Sequence, residues 1–304
     1  MRNWKLEIGN LQERRNRQLR KSFTFATLLI LKWILYTSVF AALCVVGLCM
    51  ATEKLLLGHL PQAFTPLHGF VVGNTLAIYN LHYYIKNIPK GISDRADWSL
   101  QHKWIHPALI ILGGLLSMVS MFFLPLQVIA VSIGLGILSL GYSLPILPFK
   151  QKRRLKDWGI LKLVLLSLVW TCVTVLMPMF YWHKSFEAYE VEFLLRFVFM
   201  LPLCIAFDIR DMETDKEHSI YTLPNTIGLQ RSLRLMDFFL LLFGALAVWQ
   251  YLRYPITQRF VSAIIIIVLT KTVLLFSRKV NTDIFYLLLV DGMMLLYALM
   301  VLIG

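Results

Sequence analysis

Carboxylates are concentrated in one segment of the chain, from Phe207 to Pro224, which reads FDIRDMETDKEHSIYTLP. Five of the seventeen acidic residues of the protein fall within ten positions of this segment. Three of them, Asp208, Asp211 and Asp215, have the spacing of one helix face, since at about 100° per residue they fit within an arc of about 60°. Three carboxylates this close together repel one another unless a cation lies between them.

The cation that suits this acidic segment is Mg²⁺. It prefers hard oxygen ligands and binds proteins through one or two carboxylates together with water and substrate phosphate. A diphosphate is therefore the expected ligand. The neighbouring Arg210 and Lys216 are expected to point to other sides of the helix and to leave the three carboxylates unneutralised. The alternative is an acidic helix end that is exposed to the cytosol and has no chemistry.

A second charged segment follows Pro145 and Pro148, which end a predicted helix. It holds five basic residues within seven positions: Lys150, Lys152, Arg153, Arg154 and Lys156. Arginine makes bidentate contacts to phosphate oxygens and lysine supplies a point charge, so this loop is a candidate for holding the far end of a metal-bound diphosphate. The alternative is a basic cytosolic loop that contacts anionic lipid headgroups.

The elements that position these residues are predicted to be membrane-spanning helices. With 58% hydrophobic residues, 15% charged residues and a mean hydropathy of +0.67, the chain is too apolar for an ordinary soluble domain. Apolar runs of about 20 residues, the length that crosses a bilayer core, recur along the whole chain. We predict an all-α, polytopic membrane bundle of about nine transmembrane helices. Their expected bounds are 24–50, 64–86, 105–124, 126–147, 160–181, 190–210, 233–252, 257–277 and 283–303.

The basic residues follow this topology. The net charge is +13, and 22 of the 30 Lys and Arg residues lie in the amino-terminal segment and in alternate loops. The positive-inside rule therefore predicts a cytosolic amino terminus and an outside carboxyl terminus. Nucleic acid is not an expected partner, since its binders gather basic residues on one face. We expect a basic cytosolic segment at 1–23, a transmembrane domain at 24–304 without a cleaved signal peptide, and location in the inner (plasma) membrane of a bacterium.

The spacing of Asp208, Asp211 and Asp215, followed by the sequence TLP at 222–224, resembles the second aspartate-rich motif of the UbiA superfamily of intramembrane prenyltransferases. The segment from Tyr142 to Lys150 is similar to the basic loop of that family. The nine-helix count agrees as well, so the resemblance covers nearly the whole chain.

The resemblance implies transfer of an isoprenyl group from a prenyl diphosphate to an aromatic or lipophilic acceptor in the membrane, with Mg²⁺ as cofactor. The diphosphate leaves first, and aromatic faces stabilise the allylic cation. The implied metal ligands and catalytic residues are Asp208, Asp211 and Asp215, and the implied diphosphate-binding residues are Tyr142, Lys150, Arg153 and Arg154.

The sequence departs from the family at the end of the second helix. Family members have an Asn-Asp-x-x-Asp-x-x-x-Asp motif there, and this chain has YNLHYYIKNI. Asn80 matches the leading Asn, but Leu81, Tyr84 and Ile88 occupy the acidic positions. The side chains of Asn80, His82 and Tyr84 are candidates for binding diphosphate oxygens directly.

Two alternative functions stay open. The missing carboxylates are compatible with a catalytically inactive relative that binds a prenyl lipid or diphosphate. A transporter is the other alternative, because ionisable residues within spans, such as Lys32 and Arg196, can mark a substrate path.

Overall fold

The protein is described here from a computed structural model. It describes residues 26–61, 63–85, 91–143, 159–217 and 222–303, without the side chains of 139–143 and 188. Every regular element in these ranges is a helix, which confirms the all-α class. The amino-terminal segment 1–23 and the basic loop at 150–156 lie outside the described residues.

Thirteen helices make up the described part of the chain. They are α1 (Ala26–Tyr36), α2 (Val39–Leu57), α3 (Pro66–Ile85), α4 (Asp94–Gln101), α5 (Ile105–Met121), α6 (Leu126–Ser143), α7 (Gly159–Tyr181), α8 (Glu190–Arg210), α9 (Met212–Glu217), α10 (Leu223–Ile227), α11 (Leu229–Arg253), α12 (Thr257–Phe276) and α13 (Asp283–Ile303). Two of them, α7 and α13, contain a π-helical turn, at Cys172–Leu176 and Tyr286–Val290.

Five of these helices, α2, α7, α11, α12 and α13, are long and apolar enough to cross a membrane by length and composition. Helices α4 and α5, which meet at 88°, make a sixth if they form one bent span. Helices α3 and α8 do not meet this test, since α8 carries the charged residues Glu190, Glu192, Arg196, Asp208 and Arg210 and α3 carries His and Asn residues along its length. Each of the nine predicted spans has a helix in the structure, while the number that crosses the membrane stays a prediction.

The expected bounds of the first span, 24–50, are wrong. The long helix is α2, which runs from Val39 to Leu57, and α1 is a separate shorter helix. Ser38 breaks the two apart with a left-handed backbone at φ 64°. The continuous apolar sequence hides this break, because hydrophobicity alone does not report a change of helix direction.

Helices α3 and α5 pack backbone against backbone. A Cβ atom placed on Gly73 would lie 2.4 Å from the carbonyl oxygen of Gly113, and one on Gly113 would lie 2.5 Å from that of Gly73. Small residues are what permits such an approach between helices in lipid. This contact holds the middle of α3 against the middle of α5, and the Asn80–His106 contact joins the end of α3, where the departure from the family motif is found, to the start of α5.

The ionisable side chains of the bundle gather at its two ends. We call one the site end, where α3 and α8 finish and α2, α7 and α13 begin; the Lys162–Asp208 ion pair lies there. At the opposite end, Glu53 pairs with His68 at 2.8 Å, and Lys54 Nζ donates to the carbonyl oxygen of Leu302 at 2.6 Å. The apolar interior lies between these ends, and its largest cluster includes Phe199, Phe243 and Tyr297.

Candidate functional site

Asp208 is the innermost carboxylate of the acidic segment. It lies in the last turn of α8, is only 3% exposed, and accepts a hydrogen bond from Lys162 Nζ on α7 at 2.5 Å through Oδ1. Its other oxygen, Oδ2, is buried and has no hydrogen-bond partner among the described residues. A buried carboxylate oxygen without a partner is costly, so it marks a place where a ligand can bind.

Asp211 is held by its own neighbour. The guanidinium of Arg210 donates to both oxygens of Asp211, from Nε at 2.7 Å and from Nη2 at 3.1 Å. Nη1 of Arg210 also lies 3.6 Å from Oδ1 of Asp283 on α13. The expectation that Arg210 points away from the acidic cluster is therefore wrong. Asp211 keeps 42% of its side chain exposed, so it can still reach a ligand.

Asp215 does not share the helix of Asp208. Helix α8 ends at Arg210, and Asp215 lies in α9, although its N–H donates to the Asp211 carbonyl oxygen at 2.8 Å. The segment after TLP packs against the start of α9, where Asn225 Nδ2 donates to the carbonyl oxygen of Met212 at 3.2 Å. Thr222, which precedes α10, is fully buried, and its Oγ1 has no partner among the described residues.

The described residues fit a metal ion that the substrate helps to hold. No three His, Cys, Asp or Glu side chains among them converge as a metal cage. Asp208 nevertheless has a buried oxygen without a hydrogen-bond partner, and the Asp211 carboxylate is close enough to interact with the Asp208 carboxylate electrostatically. Because Mg²⁺ needs only one or two carboxylates when phosphate completes its shell, Asp208 and Asp211 suffice. A third ligand from Asp215 stays a prediction.

Asn80, the residue that matches the family's leading Asn, is buried and fully engaged. Its Nδ2 donates to the carbonyl oxygens of Thr37 at 3.0 Å and Leu76 at 2.8 Å, and its Oδ1 lies 2.9 Å from His106 Nδ1. This geometry gives Asn80 a positioning role, because it joins the end of α3 to the start of α2 and to α5. Direct diphosphate binding by Asn80 stays a prediction.

The other candidates on α3 face outward. Tyr84 is 60% exposed and Leu81 is 41% exposed. His82 is exposed as well, and its ring contacts that of Tyr83 with centroids 5.9 Å apart. No described contact connects Tyr84 or His82 to the carboxylates of α8, so their part in diphosphate binding also stays a prediction.

The site end contains three residues that sequence reasoning missed: Lys162, Arg95 and Asp283. Arg95, on α4, is 6% exposed, and its guanidinium carbon lies 4.0 Å from the ring centroid of Tyr83. Its backbone N–H donates to Asp283 Oδ2 at 2.8 Å, which connects α4 to the Arg210–Asp283 pair. The signal in the sequence was an ionisable residue in or beside an apolar span, which in membrane proteins marks a functional position.

The basic loop lies outside the described residues. Lys150, Arg153 and Arg154 belong to this loop and are therefore not described. The side chain of Tyr142 is not described either, although its backbone forms the last turn of α6. Their contact with the diphosphate stays a prediction.

Comparison with solved structures finds the same fold in a UbiA homolog from Archaeoglobus fulgidus. The structure bound to GPP and Mg²⁺ has a TM-score of 0.63 at 14% identity, over 90% of this chain and 100% of that one. The structure bound to DMAPP and Mg²⁺ has a TM-score of 0.58 at 15% identity, over 89% of this chain and 99% of that one. At these identities the likeness shows the fold alone. No match is found among curated proteins.

The sequence comparison identifies the family. The profile of the UbiA prenyltransferase family matches residues 103–301, which include α5 through α13 and the acidic segment. The match begins after Asn80, so the segment that departs from the family's first motif does not contribute to it. This chain belongs to the UbiA prenyltransferase family.

Proposed function

We propose that the protein binds a prenyl diphosphate with Mg²⁺ at the site end and transfers the prenyl group to a lipophilic acceptor. The observation that carries the proposal is the buried, unpartnered Oδ2 of Asp208 beside Lys162, in the aspartate motif of a prenyltransferase fold. The GPP and DMAPP bound with Mg²⁺ in the Archaeoglobus fulgidus homolog support the same ligand class.

The charges of the site end suit a departing diphosphate. Mg²⁺, when bound, neutralises the negative charge that develops on the leaving group. Lys162 fixes the orientation of Asp208, and Arg210 fixes that of Asp211, so both carboxylates are ordered before the substrate arrives. Because both carboxylates are already oriented, less free energy is needed to reorganise the site when the charged metal and diphosphate bind.

Aromatic side chains border the same place. The Arg210 guanidinium lies over Phe207 and Tyr286, 4.9 and 5.3 Å from their ring centroids, and these two rings contact each other. The faces of such rings attract cations. Because Arg210 already covers these two faces, stabilisation of the allylic cation by aromatic rings stays a prediction that is not assigned to Phe207 or Tyr286. The acceptor is a lipophilic molecule that enters from the bilayer.

Asp208→Asn tests the metal half of this proposal. We expect Mg²⁺-dependent binding of a non-cleavable prenyl diphosphate to weaken by at least about tenfold, since a charged contact to the ligand is lost. Isothermal titration calorimetry of the purified protein measures it, with Glu217→Gln as the control because that carboxylate is exposed at the end of α9. Equal affinity in the wild type and Asp208→Asn would show that Asp208 does not hold the metal-bound diphosphate.

Binding without turnover is the second candidate function. It is favoured by the outward-facing Leu81 and Tyr84 at positions where the family has aspartates. Lipids copurified with the protein supply acceptors for an assay, and mass spectrometry detects prenylated products. Saturable binding of the diphosphate with no product from any lipid fraction would establish this second function instead of transfer.

One of the two residues that suggested a transporter, Arg196, has a structural explanation. Arg196 is fully buried and paired with Glu192 at 2.7 Å, four residues earlier on α8. A guanidinium that is paired with a carboxylate of its own helix is explained by packing and does not require a solute path.

A further inference from the structure

The bundle contains two buried arginines that stack on tyrosines, one at each end. Arg196, at the opposite end, is 0% exposed and lies 4.5 Å from the ring centroid of Tyr297. Its Nη2 donates to Glu192 Oε1 at 2.7 Å, and Tyr297 donates to the same oxygen at 3.0 Å. Arg196 therefore follows the rule that a buried charge is paired with an opposite charge.

Arg95, at the site end, does not follow that rule. Its Nη2 donates to the carbonyl oxygen of Tyr36 at 3.2 Å and to Ser38 Oγ at 2.7 Å, and both acceptors are neutral. Nε is buried without a partner among the described residues, as is that of Arg196, so the two arginines differ in their charged partner and not at Nε. Asp283 lies close, but it accepts from the backbone N–H of Arg95 and not from the guanidinium. None of the described carboxylates forms an ion pair with this guanidinium, although Asp291 on α13 interacts with it at longer range, so its charge is only partly compensated.

A second unpartnered group lies beside Arg95. His106 on α5 is 3% exposed, and its ring stacks on that of Tyr83 with centroids 6.1 Å apart and planes 15° apart. Asn80 fixes its Nδ1, while Nε2 is buried and makes no hydrogen bond within the described ranges. Tyr83 thus lies between the guanidinium of Arg95 and the imidazole of His106.

We propose that Arg95 and His106 bind the diphosphate directly, as a metal-independent half of the site built on α4 and α5. This proposal rests on the proposed function and names the groups that act where the family's first motif supplies carboxylates. Arg95 Nε and His106 Nε2 are the donors to phosphate oxygens, Tyr83 orients both groups by stacking, and Asn80 orients His106. Asp208 and Asp211 hold the metal-bound side of the same diphosphate.

Such a half-site differs from a site with metal on both sides in how its affinity depends on the metal. Because one half of the site attracts the diphosphate through protein cations, part of the affinity persists without a divalent metal. Affinity in EDTA then depends on Arg95, whereas the additional affinity in Mg²⁺ depends on Asp208.

The test is titration of a non-cleavable prenyl diphosphate in EDTA and in Mg²⁺, with the full chain in nanodiscs of phosphatidylcholine. We expect measurable binding in EDTA by the wild type and at least a tenfold loss in Arg95→Gln. His106→Ala removes one donor and keeps the contacts of Arg95, so we expect its affinity in EDTA to fall severalfold. This variant tests the proposal if Arg95→Gln does not fold. Arg196→Gln is the matched control, expected to lower the melting temperature and leave affinity in EDTA unchanged.

The remaining outcomes separate the two proposals. Binding in Mg²⁺ but none in EDTA, or equal affinity in EDTA for wild type and Arg95→Gln, overturns this inference and leaves the proposed function standing. Absence of binding in both conditions overturns both. A lipid phosphate is the other possible anion: if adding phosphatidylglycerol to the nanodiscs abolishes binding in EDTA, Arg95 holds a headgroup and the assignment to the substrate is wrong.

Discussion

At the scale of single residues, the Lys162–Asp208 pair decides whether the site is ordered before substrate binds. The Asp208 side chain is 4% exposed and that of Lys162 is 19% exposed, so solvent screens their attraction little. Removing one partner of such a pair leaves a buried charge uncompensated, which costs roughly 3–5 kcal/mol. Removing both charges together is expected to cost less than removing either one alone.

A double-mutant cycle on this pair makes that expectation testable. Lys162→Met should lower the melting temperature of the protein, and Lys162→Met with Asp208→Asn should restore part of the loss. Thermal melts of the wild type, the two single variants and the double variant in one detergent give the coupling energy between the two side chains. Additive losses would mean that the two side chains do not interact energetically. The pair Lys271 and Asp237, on α12 and α11, serves as the control cycle, because it is more exposed and its coupling should be smaller.

The sequence revealed one side of this site more readily than the other. Asp208 and Asp211 are close in sequence, so helical spacing alone brought them together. Lys162, Arg95 and Asp283 come from three other helices, and only the packed bundle shows that they lie beside those carboxylates. The charge pattern accounted for Arg95 as a loop residue, since a count of loop charges does not distinguish a solvated side chain from a buried one.

At the scale of helices, apolar patterns located the nine long helices but not the turns between them. The bounds 190–210 and 283–303 coincide with α8 and α13. The break at Ser38 was missed, because its positive φ accompanies a hydrogen bond from Arg95, which is 57 residues away in sequence. Helix α4 was also missed: its eight residues are too few and too polar to resemble a span.

Two adjacent glycines of α5 allow a matched test of the α3–α5 contact. Gly113→Ala would place a Cβ 2.5 Å from the Gly73 carbonyl oxygen, whereas a Cβ on Gly114 meets nothing within 4 Å. We expect Gly113→Ala to cost roughly 1–3 kcal/mol, because backbone cannot move aside as a flexible side chain does. Gly114→Ala should be neutral or slightly stabilising, since alanine favours a helix.

Melting temperatures of the two glycine variants, measured in the same lipid, test this difference in stability. Equal behaviour of Gly113→Ala and Gly114→Ala would contradict the close packing of α3 on α5. Diphosphate affinity should fall with Gly113→Ala as well, because separating α3 from α5 displaces Asn80 from His106.

At the scale of the whole molecule, contacts between helix ends fix which helices run in the same direction. At the site end, Lys162 near the start of α7 meets Asp208 near the end of α8, and Arg210 meets Asp283 at the start of α13. At the opposite end, Lys54 near the end of α2 meets Leu302 near the end of α13. Helices α2, α7 and α13 therefore run from the site end to the opposite end, and α8 runs back.

This arrangement gives a topology prediction that does not depend on the number of spans. Because α13 starts at the site end and finishes at the opposite end, the carboxyl terminus should lie across the membrane from the site. Those of the 22 Lys and Arg residues that the structure describes, such as Arg95, Arg210 and Lys279, lie at the site end, so the positive-inside rule predicts that this end faces the cytosol.

A cysteine added after Gly304 should therefore react with a membrane-impermeant maleimide added to intact cells, from outside. The native thiols of Cys44, Cys49 and Cys172 are buried and that of Cys204 is partly buried, so their background should be low. Ser93→Cys, just before α4 at the site end, is the matched control and should react only after the cells are opened. Labelling of the carboxyl-terminal cysteine only in opened cells would reverse the direction of α13. Either the site or the basic segments would then lie outside the cytosol.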